Sequence, residues 1–263
     1  MSVQTLDEID LLYSRLVRYM VLSNLDKIDV PKRISNLVKD TRYRRLLEIS
    51  EVINTITDVF HDKFRKISGI IDNFLPDAEC EVEEAEIYLS VCLMLCHHST
   101  YYGFVLVAAF LRHVTYTSYK DCKCFKIFYI CEFCFYVLYR RRFWVGLNSR
   151  EDHMKLMYVC DALSEHSTQN PICIRDTAFG VYCINRFKSS VELFRGCVLL
   201  KESEKEVFEN FYSLQSYLEC KTPRSREIEE CINICMKEEK HPIHNMPCNS
   251  KCYNYLGYIC QFL

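Results

Sequence analysis

The sequence predicts an all-α protein. Only six glycines and six prolines occur in 263 residues, whereas β-sandwiches, barrels and glycine-rich nucleotide folds need many tight turns. Hydrophobic residues make up 49% of the chain, which is enough for a sizeable core. Because these residues recur at helical spacing in most segments, we expect a helical bundle around a buried centre.

The N-terminal part predicts two amphipathic helices. The first covers residues 5–24, where Thr5 and Glu8 have the spacing of a capping box. The second covers residues 46–67, and its apolar residues recur on one face: Ile49, Ile53, Ile56, Phe60, Phe64 and Ile67. The acidic segment 73–84 then predicts a loop that leads into the N-terminus of a helix, where negative charge is favourable.

A hydrophobic hairpin is predicted at the centre of the chain. After a helix over residues 84–97, two strongly apolar helices follow at 102–116 and 122–139, separated by the polar residues 117–121. Their apolar runs are shorter than the roughly 18 to 20 residues that a membrane span needs. We therefore expect two buried core helices and no membrane span.

Beyond the hairpin, helices are predicted at 149–163, 177–200, 204–220 and 224–240, before a tail rich in Cys, His and Tyr. The polar residues 164–171 are the best candidate for a domain boundary. The prediction is a helical domain of residues 1–165 and a helical, Cys/His-rich C-terminal extension of residues 166–263.

Composition narrows the function classes. A net charge of -2 and a pI near 6.5 give no basic surface for nucleic acid. The acidic start lacks a secretory signal, and 17 cysteines then indicate a reducing, cytoplasmic compartment with free thiols. Cys131 and Cys134 have the CxxC spacing but lie within an apolar helix, and we find no phosphate loop or nucleophile motif. We expect a binding protein rather than an enzyme.

Three motifs carry a family resemblance. In the helix over residues 46–67, the apolar positions Ile49, Ile53, Ile56 and Phe60 straddle Asp58. Downstream, Tyr102 and Gly103 open an apolar helix, and Trp144 begins a Trp-Val-Gly sequence. In this order they resemble the third, first and second homology regions of the Bcl-2 family of apoptosis regulators, and the helix over 5–24 is similar to the fourth. The resemblance covers residues 5–165 and is nearest to divergent viral members.

The resemblance implies a Bcl-2-like helical bundle with a hydrophobic groove that captures amphipathic helices of pro-death Bcl-2 family proteins and so inhibits apoptosis. Located relative to Gly103, the groove residues are Val91, Leu95, Tyr102, Gly103, Phe104, Val107 and Leu111. The glycine would let another helix approach closely. These residues could instead simply pack a core.

One departure from the family concerns charge. Pro-survival members usually carry an arginine after the glycine, which pairs with the aspartate of the bound helix, and this chain has Phe104. The loss would weaken binding by about one to two orders of magnitude unless a cation such as Arg112 substitutes. A pro-death or ligand-inactive member therefore stays an alternative. We expect a cytoplasmic location, peripheral to mitochondria through partners.

The C-terminal extension offers another hypothesis. Six soft ligands cluster there, enough for a tetrahedral structural zinc site: Cys231, Cys235, His241, His244, Cys248 and Cys252. Their spacing matches no standard zinc finger, and cysteines three or four residues apart can equally form one apolar helix face. The alternatives are thus a zinc-stapled helical adaptor, or a virus-specific scaffold that acts through this region. No other cofactor is expected.

Overall fold

The computed structural model describes residues 44–98, 100–122, 125–193, 198–211 and 255. Within these ranges the chain forms eight α-helices and no strand, which confirms the all-α prediction for this part of the molecule. The helices are α1 (Arg44–Val59), α2 (His61–Ile71), α3 (Glu81–Leu95), α4 (Tyr101–Cys122), α5 (Lys126–Leu138), α6 (Arg150–Gln169), α7 (Ala178–Leu193) and α8 (Glu202–Phe211). Short turns of 3-10 or π helix lie at Leu75–Asp77, Tyr139–Phe143, Trp144–Gly146 and Pro171–Asp176.

Helix α4 lies at the centre of the described core. Each residue from 104 to 111 is at most 2% exposed. Since these residues cover more than two helical turns, every side of this part of α4 faces protein. Helices α1, α2, α3, α5 and α7 all contact it. Helix α5, the next along the chain, is also buried over most of its length, so the two apolar helices form the predicted central pair.

Two predicted boundaries differ from the structure. The helix expected over residues 46–67 is broken at Phe60, whose φ of -107° and ψ of 17° are not helical. The polar segment 117–121, expected to separate the central helices, instead belongs to α4. There the Thr117 hydroxyl donates to the carbonyl of His113 at 2.9 Å, so the helix satisfies this polar side chain itself.

Helix α3 is fixed to its neighbours by buried carboxylates. The Lys126 ammonium of α5 donates to Glu84, and both side chains are at most 4% exposed. The Tyr129 hydroxyl, also on α5, donates to Glu81. Glu86 accepts a hydrogen bond of 2.8 Å from the backbone N–H of Leu200. These contacts tie α3 to α5 and to residues 198–200.

Residues beyond the predicted boundary at 165 pack into the same core. Helix α6 continues through that position to Gln169. Ile174, Phe179, Phe187 and Phe208 are at most 4% exposed and belong to the hydrophobic cluster built by the preceding helices. The core of the described residues therefore contains parts of both predicted units. The helices predicted at 5–24 and 224–240, and most of 204–220, lie outside the described residues.

Among the described helices, none is long and apolar enough to cross a membrane.

The buried pair of Glu84 and Lys126 provides a test of this packing. Replacing Glu84 with Gln keeps the side-chain shape but removes the negative charge beside an ammonium whose residue is 3% exposed. We expect the free energy of unfolding to fall by about 3 to 5 kcal/mol, because a buried charge loses its counter-ion. Equilibrium urea unfolding followed by circular dichroism measures the loss.

The matched control is Glu151→Gln, which removes an exposed pair with Lys155 at 2.9 Å. We expect a change below about 1 kcal/mol for that variant. Equal losses for the two variants would contradict a special role for the buried pair.

Candidate functional site

The residues predicted to line a groove lie on two helices that meet at the centre of the molecule. Val91 and Leu95 are on α3, and the other five are on α4. All are buried except the half-buried Tyr102. Helix α7 packs against α2, α3 and α4. We call the surface that α2, α3 and α4 present to α7 the cleft.

Helix α7 is an amphipathic helix with one face in the cleft. Phe179, Cys183 and Phe187 are buried at successive four-residue steps, which lie on one helical face. On the opposite face Val181 is 52% exposed. The sequence pattern predicts a helix here, and these three residues were not among the predicted site residues. Their four-residue spacing was the available signal.

Aromatic contacts seat α7 along the length of the cleft. The Phe179 ring lies 5.4 Å from the ring of Tyr102 at the N-terminus of α4. Two turns later, the Phe187 ring lies 5.4 Å from Phe60 and 5.3 Å from Phe64. Such pairs contribute about 0.5 to 1.5 kcal/mol each beyond the burial of their area. The two ends of α7 are thus anchored on α4 and on the α1–α2 junction.

Gly103 lies beside the Tyr182 side chain of α7 at the junction of α3 and α4. A methyl group at Gly103 would lie 3.1 Å from the Tyr182 hydroxyl and 3.2 Å from the Cys96 Cβ and the His98 carbonyl oxygen. The same Tyr182 hydroxyl donates to the Leu95 carbonyl at 3.2 Å. Burial raises the pKa of Tyr182, which keeps its proton available for this bond. Gly103 therefore leaves room for the end of the Tyr182 side chain, which comes from another helix of the same chain.

Two residues proposed to determine charge recognition face away from α7. The Phe104 ring packs 5.2 Å from Phe135 and 5.4 Å from Phe143, on the α5 side of α4. The Arg112 guanidinium is buried on the other side of α4, with its Nη1 atom 3.4 Å from the Ser50 hydroxyl of α1. Arg112 therefore lies on the α1 side of α4 rather than in the cleft.

The pattern that resembles the third homology region lies mostly inside the core. Ile49, Ile53, Ile56 and Phe60 are at most 2% exposed, and Asp58 is exposed to solvent. Helix α1, which carries the three isoleucines, packs against α4 and α6. Here the four apolar residues stabilise the chain's own fold.

A cavity of about 310 Å³ adjoins the N-terminal end of α7. Its walls come from α4, α6 and the start of α7, and most of them are apolar or aromatic: Tyr102, Tyr158, Val159, Ala162, Leu163, His166, Thr177, Ala178 and Phe179. Sequence analysis did not predict this cavity, because it lies between segments distant in sequence. It extends the cleft beyond Phe179.

The described cysteines offer no reactive thiol at the cleft. Cys131 and Cys134, the CxxC pair, are both buried in α5, and burial raises the pKa of each thiol. Burial also raises the pKa of Cys96, next to Gly103, to about 12. In the ranges described, no group of three or more His, Cys, Asp or Glu side chains could hold a metal ion. The predicted zinc ligands, Cys231, Cys235, His241, His244, Cys248 and Cys252, lie outside those ranges.

The seating of α7 can be tested at Gly180. A methyl group there would lie 2.2 Å from the Ile174 carbonyl oxygen and 2.4 Å from that of Arg175. We expect Gly180→Ala to lower the free energy of unfolding by about 1 to 3 kcal/mol, because both neighbours are backbone atoms in a packed turn. Urea unfolding measures the change.

Gly69→Ala on α2 is the matched control, since a methyl group at Gly69 meets no atom within 4 Å. Alanine is the better helix former, so this variant should gain about 0.5 to 1 kcal/mol. A gain in both variants would show that α7 is not packed closely against the turn.

A second test concerns His113, buried on α4 beneath α2. Its ring lies 5.1 Å from His61 and 5.7 Å from Phe64. Burial, with a smaller contribution from His61, lowers the pKa of His113 to about 4. The pKa of a histidine in the unfolded chain is about 6.5. Below that pH the unfolded chain binds a proton that the folded chain excludes, so the free energy of unfolding falls as the pH drops.

Between about pH 7 and pH 5, we expect the free energy of unfolding of His113→Gln to fall by about 2 kcal/mol less than that of the wild-type chain. Urea unfolding at both pH values measures this difference. The control variant is His98→Gln, which removes one imidazole from an exposed position. Identical pH dependence in the wild-type chain and His113→Gln would contradict the assignment.

Comparison with known proteins assigns no family to this chain. No protein-family model, curated protein or solved structure matches it. The resemblance to the Bcl-2 family rests on the sequence motifs and stays a prediction.

Proposed function

We propose that this chain is a non-catalytic, Bcl-2-like regulator of apoptosis that captures amphipathic helices of pro-death proteins in the cleft. One observation carries the proposal: α7, an amphipathic helix, lies against α2, α3 and α4 with Phe179, Cys183 and Phe187 buried. Recognition of a helix in a groove needs a surface that accepts apolar anchors at this kind of spacing. Capture would sequester the partner helix and inhibit cell death, as in the viral members that the sequence resembles.

A partner helix must compete with α7 for the cleft. Since α7 is part of the same chain, it acts as a tethered ligand at high effective concentration. The apparent dissociation constant of a partner then equals its intrinsic value divided by the fraction of molecules with α7 released. The affinity of the full chain should therefore depend on how firmly α7 is held.

The chemistry of the cleft favours an apolar partner face. Each apolar anchor contributes about 1.5 to 3 kcal/mol when fully buried. The contributions of Phe179 and Phe187 are lost when α7 leaves the cleft, so a partner helix must supply apolar side chains that replace them. The cavity of about 310 Å³ beside Phe179 offers room for one further side chain. Because Phe104 faces α5, the position after the glycine supplies no cation to the cleft.

Weakening α7 should therefore strengthen the binding of a partner helix. Phe187→Ala removes the ring that contacts both Phe60 and Phe64. We expect synthetic amphipathic death-ligand helices to bind this variant at least about tenfold more tightly than the wild-type chain, because a larger fraction of molecules has an open cleft. Fluorescence polarisation with the full chain in reducing buffer measures the affinities.

The matched control is Val181→Ala, because Val181 is 52% exposed on the opposite face of α7. This variant should bind the peptides like the wild-type chain. Truncating a buried phenylalanine can cost about 3 to 5 kcal/mol, so circular dichroism must first show that the variant is folded. Cys183→Ala, a smaller truncation in the same face, gives a second release variant. Failure of the whole peptide panel to bind either folded variant would overturn the proposed function.

A further inference from the structure

The turn after α5 exposes apolar side chains. Val145 is 83% exposed and, among the described residues, is the most exposed of the large hydrophobic ones. It lies in the 3-10 turn Trp144–Gly146, which directly follows the π-helical turn that carries Arg141. The Arg141 guanidinium donates to the carbonyl of Leu199 at 3.1 Å, and Leu199 is 71% exposed. We call residues 139–150 together with 198–199 the tip.

The tip also carries the only tryptophan of the chain, Trp144. Its ring is half-buried, with the Tyr139 ring 5.6 Å away and the Arg140 guanidinium 5.1 Å from its centroid. These contacts hold the indole in place beside the exposed Val145. Tryptophan is enriched where apolar and aqueous phases meet, because its ring is apolar and its N–H is polar.

Positive charge is left over at the tip, although the whole chain has a net charge of -2. Arg142 and Arg150 are exposed, and neither has a carboxylate partner within the part of the chain that the structure describes. The neighbouring acids are already engaged. Glu204 accepts from Arg141, and Glu151 pairs with Lys155 at 2.9 Å.

Exposed aliphatic side chains, an interfacial tryptophan and unpaired arginines are the combination that binds peripherally to an anionic bilayer. We propose that the tip docks on the surface of a membrane rich in anionic lipids. Val145 and Leu199 enter the boundary between headgroups and acyl chains, and Arg142 and Arg150 contact lipid phosphates. This proposal is independent of the helix-binding cleft, because the tip residues do not line it.

The single tryptophan makes the proposal directly testable. The full chain is mixed with vesicles of phosphatidylcholine containing about one third phosphatidylserine, or with pure phosphatidylcholine vesicles, and bound protein is separated by flotation. Vesicles carrying a doxyl-labelled lipid then report whether Trp144 reaches the interface, since the label quenches only nearby indole fluorescence. We expect binding to the anionic vesicles alone, with quenching of Trp144 and a loss of binding at high salt.

Matched charge reversals locate the contact. The double variant Arg142→Glu and Arg150→Glu should bind at least about tenfold more weakly, since each cation near the surface contributes about fivefold. The control double variant, Lys63→Glu and Lys66→Glu, makes the same charge change on exposed positions of α2. It should bind like the wild-type chain, and Val145→Asp should bind more weakly.

Three outcomes would overturn the proposal. They are no binding to anionic vesicles, binding without quenching of Trp144, and an equal loss of binding in the two double variants. The last result would mean that net charge, rather than the tip, determines attraction to the vesicles.

Discussion

The middle of helix α4, residues 104–111, has no side that can face water, because these residues are apolar and buried all the way around the helix. A helix of this kind must be enclosed by others, since each exposed apolar side chain would forgo about 1.5 to 3 kcal/mol of burial. Helices α1, α2, α3, α5 and α7 all contact α4, and the Tyr182 hydroxyl of α7 lies beside Gly103. If α7 leaves, apolar surface opens that another amphipathic helix can cover. The need to bury every side of residues 104–111 thus links the fold to the proposed capture of helices.

The enclosure of α4 also explains which parts of the fold could be predicted from sequence. A long apolar run with few turn residues has few folded solutions other than a buried helix, so the central pair of α4 and α5 was predictable. The break at Phe60 was not. Phe60 and Phe64 both face the core, so the apolar periodicity continues unchanged across the non-helical residue. Residues 117–121 were expected to separate the two central helices because they are polar. Helix α4 instead continues through them, and the Thr117 hydroxyl donates to a backbone carbonyl of the same helix.

The site could be predicted only in part, for a related reason. Gly103 was expected to admit a close helix, and what lies against it here is the hydroxyl at the end of the Tyr182 side chain of α7. The identity of that helix depends on Tyr182, which is distant in sequence, and an amphipathic pattern shows that a helix has an apolar face without showing what the face contacts. Over residues 104–111 of α4, where every side is buried, the pattern cannot distinguish residues that face the cleft from residues such as Phe104 that face α5.

The contacts around the cleft differ in kind, and this difference determines which part can open. Helix α3 is held by the Glu84–Lys126 ion pair and by hydrogen bonds from Tyr129 to Glu81 and from Leu200 to Glu86. Separating such groups leaves a buried charge uncompensated, which is strongly unfavourable.

The rings of Phe60, Phe64 and Phe187 hold α7 through contacts that are largely non-directional. Apolar side chains from another helix can replace these ring contacts, and the release of α7 also breaks the single hydrogen bond from the Tyr182 hydroxyl to the Leu95 carbonyl. The α3 wall and the α4 floor are therefore the fixed part of the cleft, and the interface between α2 and α7 is the exchangeable part. His113 lies beneath α2 on that same side, so protonation of its imidazole at low pH would loosen the wall that a partner helix has to meet.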